Sequence, residues 1–259
     1  MVLHKPEKVT VQKLFNLTGK VVAVTAVATT YAEVGAEVTI LYRTTPTAPE
    51  TAAAFTSKFG KQCRAYKADI TVPAQISAAI NQVVNDFGKL DVVVANAGNN
   101  GCEFQRSILH CSSCGKVFKC QGFGNVVFTA SISATLVNTP QRQAAANHVL
   151  CKLLQYNASK AGVLQLAKSL VVEWVDFCRV NCVSPGYIQT QTMEYVSQEM
   201  LDKWRNQIQA RRFASPYKLK GVYLFCTSDA SSYMTGSNIG VDGEFALPWS
   251  PAVKINKKR

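Results

Sequence analysis

The chain has 259 residues, 47% of them hydrophobic and 17% charged, a balance that suits a folded core and excludes disordered or collagen-like chains. Its formal charge is +12, yet apart from Lys254, Lys257, Lys258 and Arg259 at the end the basic residues are scattered. No basic stripe interleaved with aromatics marks a nucleic-acid surface, whereas an anionic cofactor would suit the charge.

The nine cysteines are an odd number and the first ten residues are polar, which predicts a reducing, cytoplasmic setting. No run of about 18 apolar residues is present, so no membrane span is expected. Cys111 and Cys114 have C-x-x-C spacing, but a zinc site needs a second pair and only Cys120 lies near. No metal site is expected, and the thiols read as incidental.

In chain order, residues 19–25 form a short apolar, β-branched run that reads as a buried strand. Similar runs recur at 37–42, 63–67, 90–95, 125–129, 179–183 and 238–241. Between them, residues 73–87 place Ile76, Ile80, Val83, Val84 and Phe87 on one helical face, and residues 158–177 form a second helical stretch. This alternation predicts an α/β fold: a single Rossmann-like, doubly wound parallel sheet of about seven strands with helices on both faces. The whole chain, residues 1–259, reads as one domain, with 1–14 as an N-terminal arm and 250–259 as a basic tail. Ligands on such sheets sit beyond the carboxyl ends of the strands, which is where chemistry is sought.

Four strand exits and helix starts carry candidate residues. Ala95-Asn96-Ala97-Gly98 ends a strand in small residues that let another backbone or a flat ligand come close. Val127-Phe128-Thr129-Ala130-Ser131 brings a hydroxyl to the carboxyl edge of the sheet, within reach of a substrate carbonyl. Tyr156 and Lys160 stand one helical turn apart on one face. A tyrosine acting as acid or base near pH 7 needs its pKa lowered by about three units, about 4 kcal/mol, and a nearby cation favours that shift. By itself the pair reads equally well as a surface Tyr and Lys. Finally, Val183-Ser184-Pro185-Gly186-Tyr187-Ile188-Gln189-Thr190 breaks a strand into a turn able to cover a ligand.

Asp69-Ile70, Asn96-Ala97-Gly98, Ser131, Tyr156-x-x-x-Lys160 and Ser184-Pro185-Gly186 occur in that order, and together they resemble the short-chain dehydrogenase/reductase family from about Phe15 to Gly243. The wording of 121–125, 138–141 and 228–233 is most similar to the fungal polyol and ketose reductases of that family. The resemblance implies Tyr156 as proton donor, Lys160 as the group that lowers its pKa and holds the nicotinamide ribose, and Ser131 as the group that orients the carbonyl. It implies cofactor contacts from Asp69, Asn96, Ala97, Gly98, Pro185, Gly186, Ile188 and Thr190. Arg43 ends the second strand where an acid would bind the ribose hydroxyl of NAD, so NADP(H) is the expected cofactor. A small carbonyl or alcohol is the implied substrate, and the 158–177 helix implies a homo-oligomer, a dimer or a tetramer.

The chain departs from the family pattern in four places. After Val24-Thr25 it lacks the T-G-x-x-x-G-x-G turn and reads Ala26-Val27-Ala28-Thr29-Thr30-Tyr31, where β-branched residues fit positive φ poorly. Thirteen residues from Thr25 to Glu37 are close to the minimum for a crossover, so the strand order is expected to hold and pyrophosphate affinity to suffer. Between Gly101 and Gln121 no helix of the kind that carries the family's catalytic Asn is evident, and the Cys-rich stretch from Ile108 to Cys114 stands in its place. Ser131 and Tyr156 are 25 positions apart, more than the family spacing, and the excess at 144–155 either loops out or adds a helical turn; His148 within it reads as incidental. Asp242-Gly243-Glu244 replaces the usual Asp-Gly-Gly. Two readings follow: an NADP(H)-dependent oxidoreductase, or an inactive relative unable to hold dinucleotide.

Overall fold

Residues 9–25, 27–96, 103–137 and 149–246 are described by the computed structural model. Seven parallel strands form one sheet in the order β3-β2-β1-β4-β5-β6-β7. They are β1 (Val21–Val24), β2 (Glu37–Tyr42), β3 (Cys63–Lys67), β4 (Val92–Ala95), β5 (Asn125–Thr129), β6 (Arg179–Pro185) and β7 (Asn238–Val241). The helices are α1 (Val11–Leu14), α2 (Ala28–Glu33), α3 (Ala48–Phe59), α4 (Pro73–Phe87), α5 (Glu103–Gln121), α6 (Val149–Trp174), α7 (Gln198–Gln207) and α8 (Lys220–Thr227).

Successive strand residues serve opposite faces of the sheet. Val21, Ala23, Val93, Val126 and Phe128 pack with α4, α5 and α6 through Ile76, Ile80, Phe118 and Val163. Val22, Val24, Val92, Val94 and Val127 pack with α2, α3 and α8 through Tyr31, Ala52, Leu219 and Tyr223. Strands buried on both faces read as continuous apolar runs, which is why the sequence marks them so clearly. The direction of winding reverses between β1 and β4, and the crevice at that switch point is where ligands of such sheets bind.

One buried and one half-buried charged group tie the strands to their neighbours. Asp91, 4% exposed, accepts from the Val21 amide at 2.8 Å and pairs with Lys89 and Lys20, joining β4 to the start of β1. The Arg179 guanidinium donates to the carbonyls of Ser231, Met234, Cys226 and Ser228 and to the Ser231 hydroxyl, fixing the chain after α8 against β6.

The structure corrects the expectation that no helix stands between Gly101 and Gln121, for α5 occupies that stretch. Its buried stripe includes Cys111, Cys114 and Phe118, spaced by three and four residues and packed in the core. Read as incidental thiols, the cysteines hid an apolar face that they supply as small hydrophobes. The second long helix begins at Val149 rather than at 158 and ends at Trp174. Residues 149–155 of the extra segment are therefore helical, extending α6 by about two turns, while 144–148, with His148, lie outside the described residues.

Candidate active site

At the carboxyl end of β5, three groups from two elements meet. Lys160 is 6% exposed, and its ammonium donates to the Thr129 carbonyl at 2.9 Å. Burying a lysine is costly unless it is hydrogen-bonded, and this carbonyl supplies that bond. The same ammonium lies 5.6 Å from the centre of the Tyr156 ring, one turn earlier on α6, within the range of a cation–π contact. That turn is braced by the Ser159 hydroxyl, which donates to the Tyr156 carbonyl at 2.8 Å. Tyr156 is half-buried, so the pair is not the ordinary surface Tyr and Lys that the spacing alone allowed.

Ser131 follows β5 by two residues and is 7% exposed. Its hydroxyl oxygen accepts from the Ser133 amide at 3.1 Å, capping the 3₁₀ turn Ile132–Ala134. A hydroxyl used as acceptor still has its hydrogen to donate, so Ser131 offers a fixed donor at the strand exit.

On the next strand, Pro185 ends β6 and Gly186 donates to the Val241 carbonyl at 3.0 Å. A Cβ on Gly186 would lie 2.8 Å from the Asp242 backbone, so only glycine allows β6 and β7 to leave the sheet this close together. Ile188 bridges Ala214, and Thr190 precedes the 3₁₀ turn Gln191–Tyr195. Tyr187 stacks on Trp204 at 5.0 Å and meets Phe245 edge-on at 5.3 Å, which anchors the segment. Burial pushes the Tyr187 hydroxyl up to about 12, so it stays protonated near neutral pH. A neighbouring pocket lined by Tyr187, Arg212, Lys218 and Asp242 has a volume of about 140 Å³, below the range of roughly 300–1,000 Å³ typical of small-molecule sites.

The other side of the switch point is built differently. The Asn96 amide donates to the Thr25 hydroxyl at 3.1 Å, tying the ends of β4 and β1. Arg43, at the end of β2, lies 3.8 Å from the Asp69 carboxylate, which accepts from the Thr71 amide and hydroxyl at 2.9 and 2.7 Å. Arg43 is more than half exposed, and this ion pair is too long and too wet to hold it firmly. Ala97 and Gly98 lie outside the described residues.

Between these points lies the shortened turn. Val27 adopts φ 60 and ψ 19, a left-handed conformation that a β-branched side chain makes costly, and it precedes α2, only six residues long, with no side-chain cap. At the far end of the sheet Glu244 sits at φ 65, beside Gly243 at φ 65. The family's glycine at that place suits the backbone that Glu244 is forced to adopt.

Thus Ser131, Tyr156 and Lys160 come together around the end of β5, Arg43 and Asp69 meet beyond β2 and β3, and Asn96 reaches Thr25. Two residues at the first of these places were not singled out from the sequence: Thr129, whose carbonyl holds Lys160, and Tyr223, whose hydroxyl bonds to that of Thr129. Thr129 is two positions before Ser131 in a motif already in view. Tyr223 lies 94 positions away, and no local pattern marks it.

A family profile described as enoyl-(acyl carrier protein) reductase matches residues 24–245. The chain belongs to the short-chain dehydrogenase/reductase family. It is 40% identical to a sorbose reductase of Candida albicans over 91% of this chain and 90% of that one. It is 35% identical to an NADP-dependent mannitol dehydrogenase of Alternaria alternata over 95% of this chain and 100% of that one. Among solved structures it resembles an NADPH-dependent 3-quinuclidinone reductase from Rhodotorula rubra, with a TM-score of 0.84 and 29% identity, over 96% of this chain and 100% of that one. Members of this family are oxidoreductases, and the chain is an enzyme of this class by descent. Among the described residues, no helix is long and apolar enough to cross a membrane.

Proposed function

We propose that the protein is an NADP(H)-dependent oxidoreductase that interconverts a secondary alcohol and a ketone, with polyols and ketoses as the substrate class. The observation that carries this reading is the buried Lys160 ammonium held by the Thr129 carbonyl beside the Tyr156 ring, with the Ser131 hydroxyl at the same strand end. The relatives named sorbose reductase and NADP-dependent mannitol dehydrogenase support the substrate class and the cofactor.

The residues present suit the cofactor at both ends. Tyr156, Lys160, Pro185, Gly186, Ile188 and Thr190 would hold the nicotinamide half. Asn96, Ala97, Gly98 and Asp69 would hold the adenosine half, and Arg43 is exposed enough to exchange its loose partner for a 2′-phosphate. Bound NADP(H) supplies or accepts the hydride. In the reducing direction the Ser131 hydroxyl donates to the substrate carbonyl, and Tyr156 gives its phenolic proton to the oxygen as negative charge develops there. The Lys160 ammonium favours the phenolate that remains and lowers the cost of that transfer. The protein acts as a homo-oligomer paired through α6, by likeness to the family.

A second reading rests on Val27. Without a glycine turn, a strained valine and a six-residue helix stand where a pyrophosphate needs close backbone approach, and a folded relative that holds no dinucleotide fits that turn. Calorimetric titration of the folded protein with NADPH and then NADH at low ionic strength separates the two. Micromolar NADPH affinity with weaker NADH supports the oxidoreductase, and no binding of either up to millimolar concentration supports the inactive relative.

A further inference from the structure

Lys160 reaches Thr129 from one face of the sheet, and a second residue reaches Thr129 from the other. Tyr223, on α8, is 0% exposed, and its hydroxyl and that of Thr129 hydrogen-bond to one another. Alternation along β5 sends the Thr129 side chain to the α8 face, while its carbonyl, at the last ladder position, is open to the ammonium on α6. The peptide of that carbonyl is also held from its other side, since its Ala130 amide donates to the Val183 carbonyl at 2.8 Å. One residue at the end of β5 therefore joins a buried lysine on one helical layer to a buried tyrosine on the other.

We infer that Tyr223 is a positioning residue: through the Thr129 hydroxyl it fixes the Thr129 carbonyl, and that carbonyl fixes the Lys160 ammonium beside Tyr156. The inference rests on the acid–base reading of Tyr156 and Lys160 given above. It makes α8, which carries none of the residues assigned to that chemistry, part of the apparatus that orients it. The physical reason is geometric. A strand's last carbonyl has no further ladder bond to hold it, so its direction depends on what holds its own side chain and the next amide. A lysine on a flexible four-carbon stem takes its position from its acceptor.

The test reads Tyr156 directly and needs no turnover. Protein carrying ¹³C at the tyrosine ring carbon that bears oxygen is titrated by NMR, and the Tyr156 signal is identified by its loss in Tyr156→Phe. The titratable groups facing Lys160 and Tyr223 are Tyr156 on α6, Cys182 on β6, Cys226 on α8 and Tyr31 on α2. Burial pushes Cys182 up to about 12 and Cys226 up to about 11, and it raises Tyr31 further, so these groups stay protonated near neutral pH, and the Tyr156→Phe difference assigns the signal.

Tyr223→Phe and Thr129→Val should each raise the Tyr156 midpoint, weakening its ionisation about tenfold, and the double variant should do no more than either, because both remove one bond. Where turnover is measurable, kcat should fall about tenfold in each with KM little changed. Tyr66→Phe is the control. It deletes another tyrosine hydrogen bond, the 2.7 Å contact with Asp86 beyond β3, and should leave the Tyr156 signal in place. An unmoved Tyr156 midpoint in folded Tyr223→Phe and Thr129→Val overturns the positioning role and leaves the acid–base reading standing. An unmoved midpoint in Lys160→Met overturns the acid–base reading and this inference with it.

Discussion

The two sides of the switch point differ in what they are made of. At β5 and β6 the candidate site is built from side chains at the strand ends: the Lys160 ammonium bonds to the Thr129 carbonyl and lies over the Tyr156 ring, Ser131 stands two residues past β5, and the Thr129 hydroxyl bonds to that of Tyr223. At β1 and β2 the family's site is built from backbone, and here that backbone is a valine in a left-handed conformation before a six-residue helix. Side-chain sites survive wherever the strands and helices that carry them survive. Backbone sites depend on loop length and on glycine, so a shortened loop removes them while the sheet beside it stays in register, as the β1–β2 pairing does here.

The largest test of this contrast is on the side-chain half. Tyr156→Phe should cut ketone reduction by 10²- to 10⁴-fold, the usual range for loss of a general acid, with little change in thermal stability. Unchanged turnover would remove Tyr156 from the chemistry. Arg179→Ala should lower the unfolding free energy by about 3 kcal/mol in urea titrations, because it strips the partner from several carbonyls packed under β6. A loss within about 0.5 kcal/mol would show that water replaces it.

On the backbone half, Val27→Gly should raise stability by about 0.5–1 kcal/mol, the relief of a left-handed valine being partly offset by the freer unfolded chain. It should also tighten NADPH binding if the turn is what limits it. Lower stability in Val27→Gly would mean that packing of the valine outweighs its strain.

A smaller effect is expected in the acid limb of the stability curve. Hydrogen bonds from Tyr66, Arg64 and Gln82 hold the Asp86 carboxyl below its usual range. A carboxyl depressed in the folded state stabilises above the unfolded value of about 4, and that contribution is lost as pH falls through the folded value. Asp86→Asn should therefore flatten the fall in stability below about pH 4. Thiols have the opposite sign. Burial raises Cys178 and Cys182 to about 12, so their contribution is complete below the unfolded value of about 8.5 and fades as pH rises toward 12. Smallest is a labelling difference: among the described cysteines, the exposed Cys120 should react with a thiol reagent well before the buried six.

Much of this fold was legible because its strands are short, apolar and bounded by turn residues, while among its helices α4 and the later part of α6 stood out by their periodicity. α5 was not legible, because its buried stripe includes Cys111, Ser113 and Cys114, which carry little hydrophobic contrast, and the residues before 158 left a loop and an added helical turn equally open. Tyr156 and Lys160 were visible as an i, i+4 pair, but the depth of Lys160 and its bond to Thr129 were not, since the acceptor is a main-chain oxygen 31 positions away.

By itself, then, the sequence determined the class of fold, the strand exits and the residues standing there, because those follow from hydrophobic periodicity and from local spacing along a strand or a helix. Only the tertiary structure decided which of these residues meet, that Val27 carries the cost of the shortened turn, and that α8 reaches through the end of β5 toward Lys160. Those outcomes depend on contacts between segments far apart in the chain and on carbonyls that every residue shares, which no pattern of residue types can mark.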